Sequence, residues 1–359
     1  MSITIHQTPT GYPSAHSELW HVVESTNKAT AGFQYVFDVY DGATMLTRVK
    51  NSPYGTDKLG VIDLQKVVQA LVATNKAPAL DLNDFAADTV FSWSNDYDVR
   101  YGEVSGGVLS VNLASGNYKV YNRYPRKPWD NKRTEINGGQ LLTNRPVNSN
   151  FYEGHPVVLS YFAASGQTWA KVGPSTDNYT GDNNAVVFSW NPTADLTFQL
   201  SGSVSGVVNT LNLKKRCSKY TPQTLMFLNA YGAWDSFTFV HGKLMTDVER
   251  KMFERQRWEV SGNAITDNTS GVYHEKRKVY AGEYTQKMVL TSDILSTGEY
   301  DWLQELVVSP LVYWIDVQNE KLYPVTVENS NYELKQDQIQ KADVLELTIV
   351  FDSQNIQFR

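Results

Sequence analysis

The stretch from Tyr220 to Lys243 constrains the fold most, because its apolar residues follow the patterns of two strands separated by a turn. The run Leu225-Met226-Phe227-Leu228 is continuously apolar, as in a strand buried on both faces. Asn229-Ala230-Tyr231-Gly232 interrupts it. Phe237 and Phe239 then alternate with Ser236, Thr238 and Val240, which is typical of a half-buried strand. The stretch therefore predicts a hairpin-like pair of strands in the middle of a core.

Length and composition indicate a folded chain with more than one core. The chain has 359 residues, of which 41% are hydrophobic and 19% charged. This length exceeds the size at which one core usually stops growing, so two or three domains are expected. The net charge of −6 argues against a protein that binds nucleic acid through its overall charge.

The single cysteine and the first residues bear on the compartment. Cys217 has no second cysteine to pair with, which excludes an intrachain disulfide and a cysteine-based zinc site. The start, MSITIHQTP, lacks the basic and apolar regions of a signal peptide. No apolar run approaches membrane-spanning length. We expect a protein made in the cytoplasm, with no membrane partner.

The first predicted domain, residues 1–88, combines strands with one helix. Asp41-Gly42 lies between two strand-like runs, a strong hairpin signal. Apolar residues from Val61 to Val72 recur at helical spacing, and Asp63 is placed to cap the helix. The pattern predicts an amphipathic helix lying on a sheet.

The second predicted domain, residues 89–243, is a succession of short strands separated by Gly, Asn and Ser, which predicts a sandwich or barrel. The polar segment from Ser165 to Asn184 is interpreted as a mobile loop or an interface arm.

The third predicted domain, residues 244–359, mixes strands with a short helix. Two segments have the form of a capping box, Thr246–Glu249 and Ser296–Glu299. The segment from Arg250 to Trp258 fits either a helix or an extended charged strand. Ser309-Pro310 is expected to end the helix that follows Ser296. The predicted fold class is mainly β and multi-domain, sandwich- or barrel-like with a few short helices, and α+β in its C-terminal part.

The chain offers no recognisable catalytic or metal-binding motif. His16 and His21 lie five residues apart, which places them on opposite sides of a strand and argues against a metal pair. Cys217 and His241 lie in no nucleophile motif, so packing is the expected role of Cys217. Phosphate loops, nucleophile elbows and zinc-protease motifs are absent from the sequence. We therefore expect no enzyme activity and no cofactor.

The segment from Tyr121 to Arg133 interleaves positive charge with aromatic rings. It could bind a polyanion such as DNA, or it could contact a neighbouring subunit. The acidic net charge favours the subunit contact. The candidate interface residues are Tyr121, Arg123, Tyr124, Arg126, Lys127, Trp129 and Arg133.

Three passages carry a family resemblance: Pro9–Trp20, Lys219–Phe239, and Tyr300–Tyr313 with the following Leu322–Val325. Together they resemble virion structural proteins of tailed bacteriophages that infect Bacteroidetes-type bacteria, including the crAss-like group. The resemblance implies a tail, neck-ring or baseplate component near the head–tail connection. Such a protein would assemble in the host cytoplasm as a homo-oligomeric ring, beside tail, portal or baseplate proteins, with DNA only as passing cargo. The family offers no catalytic residues.

Two other classes of protein share these features. A carbohydrate-binding or adhesin-like β-sandwich module that contacts the host surface would also be rich in strands, Trp and Tyr, and exposed aromatic rings in a shallow groove would favour it. An enzyme would instead gather polar groups with shifted pKa values in a pocket.

Overall fold

Strands dominate the computed structural model, which describes residues 3–11, 13–72, 78–123, 139–254, 258–267, 277–328 and 344–351. Two short helices accompany the strands in these residues. The predicted fold class, mainly β with several sheets and a few short helices, is confirmed.

Except for β6, the strands of the first part of the chain form two sheets. In order, the elements are β1 (Ile3–Gln7), β2 (Trp20–Ser25), β3 (Gln34–Asp41), β4 (Thr44–Asn51), β5 (Gly60–Asp63), helix α1 (Gln65–Val68), β6 (Thr89–Phe91), β7 (Ser94–Ser105) and β8 (Val108–Tyr121). The sheets have the orders β1-β2-β5 and β4-β3-β7-β8. One core cluster lies between them and includes Leu19, Tyr35, Phe37, Tyr97 and Tyr101.

The middle of the chain supplies two further sheets. Its strands are β9 (Asn148–Tyr152), β10 (Val157–Ala163), β11 (Thr168–Val172), β12 (Thr176–Thr180), β13 (Asn184–Trp190), β14 (Leu196–Gly202), β15 (Gly206–Arg216), β16 (Gln223–Leu228) and β17 (Trp234–Phe239). The five-stranded sheet has the order β12-β11-β14-β15-β9. The core sheet, β10-β13-β6, lies against it.

The last part of the chain completes a large sheet. Its elements are β18 (His241–Glu254), β19 (Trp258–Ser261), β20 (Ala264–Asp267), β21 (Arg277–Thr291), helix α2 (Thr297–Val308), β22 (Val312–Asp316), β23 (Lys321–Val327) and β24 (Glu346–Phe351). The large sheet has the order β17-β16-β22-β23-β24-β21-β18, and β19 pairs with β20.

The core sheet is the middle layer of a stack, because both of its faces are covered. In β10, Leu159 and Tyr161 belong to the cluster shared with the five-stranded sheet, while Val158 and Phe162 belong to the cluster shared with β16 and β17. Every residue of β10 is buried. The alternation of a strand sends neighbouring side chains to opposite faces, so a continuously apolar strand suits this position.

The hairpin predicted between Leu225 and Phe239 is confirmed as β16 and β17, with Leu225 paired to Phe237. Leu225 and Phe227 pack toward α2, whereas Met226 and Leu228 pack toward the core sheet. In the turn, Gly232 has a φ of +69°, and a Cβ there would collide with the carbonyl oxygen of Asn122. Only glycine satisfies both conditions.

Helix α2 begins and ends where the sequence predicts. Ser296 accepts a hydrogen bond from the Glu299 amide, and the Glu299 side chain accepts one from the Ser296 amide, which completes the capping box. Trp302, Leu303 and Leu306 are buried against the large sheet. The helix ends at Val308, before Pro310.

Four expectations are wrong in detail. The segment from Ser165 to Asn184 is no loop, since it forms β11 and β12, and its Trp169 is fully buried. The helix predicted over Val61–Val72 shrinks to α1, because Val61 belongs to β5 and the Asp63 side chain binds the amides of both Leu19 and Gln65. The helix-capping box expected at Thr246–Glu249 is wrong, because this segment lies within strand β18. The packing expected for Cys217 is wrong as well, because Cys217 is exposed just after β15.

Strand pairing crosses both predicted domain boundaries. Strand β3, from residues 1–88, pairs with β7, and β16 and β17, from residues 89–243, belong to the large sheet with β18 and β21–β24. The division into three domains stays a prediction, and the hydrogen-bonded sheets connect its parts.

Replacing Phe227 tests the two-sided burial of β16. Phe227 is fully buried, so Phe227→Ala should lower the unfolding free energy by about 3–5 kcal/mol, through lost burial and the cavity left behind. The control is Phe253→Ala on the exposed part of β18, with an expected loss of at most about 0.5 kcal/mol in the unassembled chain. Reversible denaturant unfolding measures both. Equal losses for the two variants would contradict the assignment.

Candidate interaction surface

The predicted interface segment is described only at its start. Tyr121 is buried at the end of β8, where its ring packs 4.8 Å from that of Trp93. The Arg123 guanidinium lies 5.4 Å from the centre of the Tyr231 ring, and burial lowers its pKa. Both side chains are therefore engaged within the chain. Tyr124, Arg126, Lys127, Trp129 and Arg133 lie outside the described residues, and the subunit contact stays a prediction.

His16 and His21 both contact other side chains within the chain. His21 is buried, with its ring nitrogens 2.8 Å from the Tyr101 hydroxyl and 3.3 Å from the Tyr97 hydroxyl, and burial lowers its pKa to about 4. His16 contacts Gln69 at 2.7 Å. In the described part of the chain, no group of three or more His, Cys, Asp or Glu residues could hold a metal ion. No helix of the described residues is long and apolar enough to cross a membrane.

A buried lysine joins the five-stranded sheet to the core sheet. The Lys171 ammonium lies 2.7 Å from Asp88 and 3.0 Å from Asp177, and donates to the Phe85 carbonyl at 2.8 Å. Its nitrogen also lies 4.6 Å from the centre of the Phe188 ring. Burial raises the pKa of Asp88 although the hydrogen bond from Lys171 opposes this. The ammonium is satisfied on all sides, which is the requirement for a buried charge in a packed core.

A second buried polar network ties α2 to the β16–β17 hairpin. One oxygen of Asp235 accepts hydrogen bonds from Thr143 at 2.7 Å, Asn229 at 3.0 Å and the Trp302 indole at 3.2 Å. The buried Arg145 guanidinium lies 5.2 Å from the centre of the Trp302 ring. Burial raises the pKa of Asp235 to about 6 and lowers that of Arg145. Both side chains are enclosed by protein, and this burial is the main cause of both pKa shifts.

A large exposed feature of the described residues is a two-stranded ribbon, which we call the arm. It consists of Leu244–Glu254 of β18 and Arg277–Gln286 of β21. Strand β24 pairs with β21 only over Lys287–Thr291, so the arm projects beyond the large sheet. At about 3.3 Å per residue it extends about 30 Å. Two-stranded ribbons are marginally stable in water unless something packs against them.

One face of the arm is an apolar groove of about 870 Å³. Val248, Phe253, Val279, Tyr280 and Tyr284 contribute its apolar side chains. Phe253 and Tyr280 contact each other, with ring centres 6.2 Å apart. A bulge at Tyr280 interrupts the pairing, since Lys251 faces Ala281 but Met252 faces Val279. Val248, Phe253 and Tyr280 are each about half exposed in the single chain, so the groove is available to a partner.

The opposite face of the arm is charged. Glu249 lies directly opposite Glu283, an unfavourable pairing of like charges. Lys251 lies 3.2 Å from Glu283, and Lys287 lies 3.2 Å from Asp247. An apolar groove on one face and alternating charges on the other give the arm the composition of an interface strand.

The sequence did contain a signal for the arm. From Arg250 onward an extended charged strand is one of the two interpretations that the sequence allows. The capping-box form of Thr246–Glu249 pointed to a helix instead, because four residues satisfy that pattern easily by chance. The fourteen-residue pairing of β18 with β21 is a long-range property that local patterns do not reveal.

The raised pKa of Asp235 predicts a pH dependence of stability. Between about pH 4 and pH 6 the folded state holds this proton more tightly than the unfolded state, so the wild type should lose stability relative to Asp235→Asn as the pH rises through this range. Chemical denaturation of both proteins from pH 4 to pH 7.5 measures the difference.

The matched control is Asp316→Asn. Asp316 is half-buried, and hydrogen bonds from Asn319 lower its pKa, so the wild type should gain stability relative to this variant as the pH rises through the acid range. A wild-type-minus-Asp235→Asn difference that stays flat, or rises with pH, would show that Asp235 is not buried as described.

Comparison with known proteins supplies no family assignment. No protein-family model matches the chain, and no curated protein sequence matches it. The function is therefore inferred from the geometry of the arm and from the sequence resemblance.

Proposed function

We propose that the chain is a non-enzymatic structural protein that assembles with copies of itself through the arm. The observation that carries this proposal is the projecting ribbon with its half-exposed apolar groove. Folding a ribbon of this length is favourable only when part of its surface is buried by something else. Assembly provides that burial.

The resemblance of the sequence to virion structural proteins supports one kind of assembly. A virion protein of a tailed bacteriophage, placed in a tail, neck ring or baseplate, needs surfaces that meet repeatedly in a symmetric oligomer. Rigid β layers with a projecting arm suit that role, since the layers fix where the arm emerges. Tail, portal or baseplate proteins are the proposed neighbours, and the virion is the proposed location.

The buried polar groups support a structural role. Four charged side chains are buried or nearly buried within the packed layers: Lys171, Asp88, Arg145 and Asp235. Their hydrogen bonds connect one layer to the next. Shifted pKa values at buried sites can arise from such structural networks as well as from catalysis.

The same groove supports one alternative, a carbohydrate-binding module. Exposed rings in a shallow groove can stack on sugars, and Phe253 and Tyr280 are such rings. The two functions differ in their partner, because one requires a second protein chain and the other requires a glycan bound to a single chain.

Shortening the arm tests the proposal. Met245 pairs directly with Lys287, so replacing residues 246–286 by Asn-Gly should close the ribbon with a tight turn and leave its root in the large sheet. The wild type should form a defined oligomer at high concentration, and the shortened chain should stay monomeric with an unchanged β-type circular dichroism spectrum. Size-exclusion chromatography with light scattering and negative-stain imaging measure this.

Two point variants provide a matched comparison. Phe253→Glu, in the groove, should weaken assembly at least tenfold, whereas Tyr54→Glu, an exposed aromatic residue outside the arm, should leave it unchanged. A wild type that is monomeric at every concentration would contradict the proposal. Glycan binding to that monomer, lost in Tyr280→Ala, would establish the carbohydrate-binding alternative.

A further inference from the structure

The outer edge of β18 has no strand beside it in the described part of the chain. Strand β18 is the last member of the large sheet and pairs with β21 alone. Side chains from Lys243 to Glu254 are exposed. A long exposed edge presents a row of backbone N–H and C=O groups that can pair with a strand of another chain.

We propose that the β18 strands of two copies pair antiparallel about a two-fold axis at Glu249, forming a four-stranded sheet in the order β21-β18-β18-β21. This rests on the proposed function, because it requires that the chain assembles with itself. The pairing turns two marginal ribbons into one sheet of four strands, enough for independent stability.

The sequence of β18 complements itself in this arrangement. Full overlap of Leu244–Glu254 with its own copy places Asp247 opposite Lys251 of the second copy, and the symmetry repeats this pair. It also places Met245 opposite Phe253 twice. Opposite charges and apolar side chains that face each other across strands are favourable.

Neighbouring registers are less favourable. An axis at Val248 places Asp247 opposite Glu249 twice. An axis at Arg250 does place Glu249 opposite Lys251, but it shortens the overlap to residues 246–254 and places Asp247 opposite Phe253 and Arg250 opposite itself. The proposed register has one like-charge contact, Glu249 opposite Glu249. Asp247 and Lys251 remain about half exposed beside their partners within the chain, so they are accessible to the second copy.

Reciprocal charge reversal tests the pairing. D247K alone and K251D alone should each weaken dimerisation at least tenfold, because each places like charges opposite each other. Mixing the two variants should restore association as a heterodimer, since every facing pair is then opposite in charge. The double variant D247K/K251D should dimerise as well. Restoration in the mixture cannot come from contacts within one arm, because K251D still lacks its ion pair with Glu283.

Cysteine cross-linking tests the register directly. In a C217S background, E249C should form an intermolecular disulfide rapidly, because the two cysteines face each other across the axis. The control is E283C, on the strand that pairs with β18 within the chain. Its two copies would lie three strand spacings apart, about 14 Å, and should not cross-link. E249Q should strengthen dimerisation, since it removes the one like-charge contact.

The outcomes separate this inference from the proposed function. If the wild type assembles and the arm-shortened chain does not, but charge reversal has no effect and E249C gives no cross-link, the arm binds elsewhere and the pairing is wrong. If the wild type never assembles, the proposed function fails and this inference fails with it. Heterodimers from the mixed variants together with the E249C cross-link confirm the pairing.

Discussion

The burial of strand β16 on both faces is the constraint on which the rest of the structure depends. Leu225 and Phe227 face α2, while Met226 and Leu228 face the core sheet, so one strand belongs to two core clusters. Hydrogen bonds hold the turn that follows β16. Asp235 accepts one from the Asn229 side chain at 3.0 Å, and Glu305 accepts one from the Ala230 amide at 3.0 Å. Strand β17 follows this turn, and only Val240 separates it from β18. The strand that carries the arm therefore begins directly after a deeply buried hairpin.

The arm depends on that anchor because it has little to hold it otherwise. Its root pairs with β24, but in the described part of the chain the segment of β21 before Lys287 pairs only with β18. The half-exposed apolar groove and the edge of β18, which has no neighbouring strand among the described residues, are surfaces that the described part of one chain leaves uncovered. A second copy covers the edge most simply, since the strand that carries this edge can complement itself.

Much of the core could be predicted from the sequence, because it follows local periodicity. The apolar run at Leu225, the alternation at Phe237 and the capping box at Ser296 each reflect one element and its immediate surroundings. Long-range effects could not be predicted. Trp169 and Lys171 lie in a polar segment, yet the five-stranded sheet buries both. The helix expected over Val61–Val72 is shortened at its start because Val61 and Ile62 pair, as part of β5, with β2, which lies far away in sequence. The arm could be predicted only in part for the same reason, since its exposure depends on which distant segments pack against it.

Hydrogen exchange of the arm tests the central claim most directly. Exchange measured by mass spectrometry on peptides covering Leu244–Glu254 compares the dilute monomer with the concentrated oligomer. The account predicts fast exchange in the monomer and strong protection in the oligomer, with the exposed edge strand β12 unchanged as an internal control. Peptides of β18 that are already protected in the monomer, or equally unprotected in both states, would contradict the claim that the arm is an assembly surface.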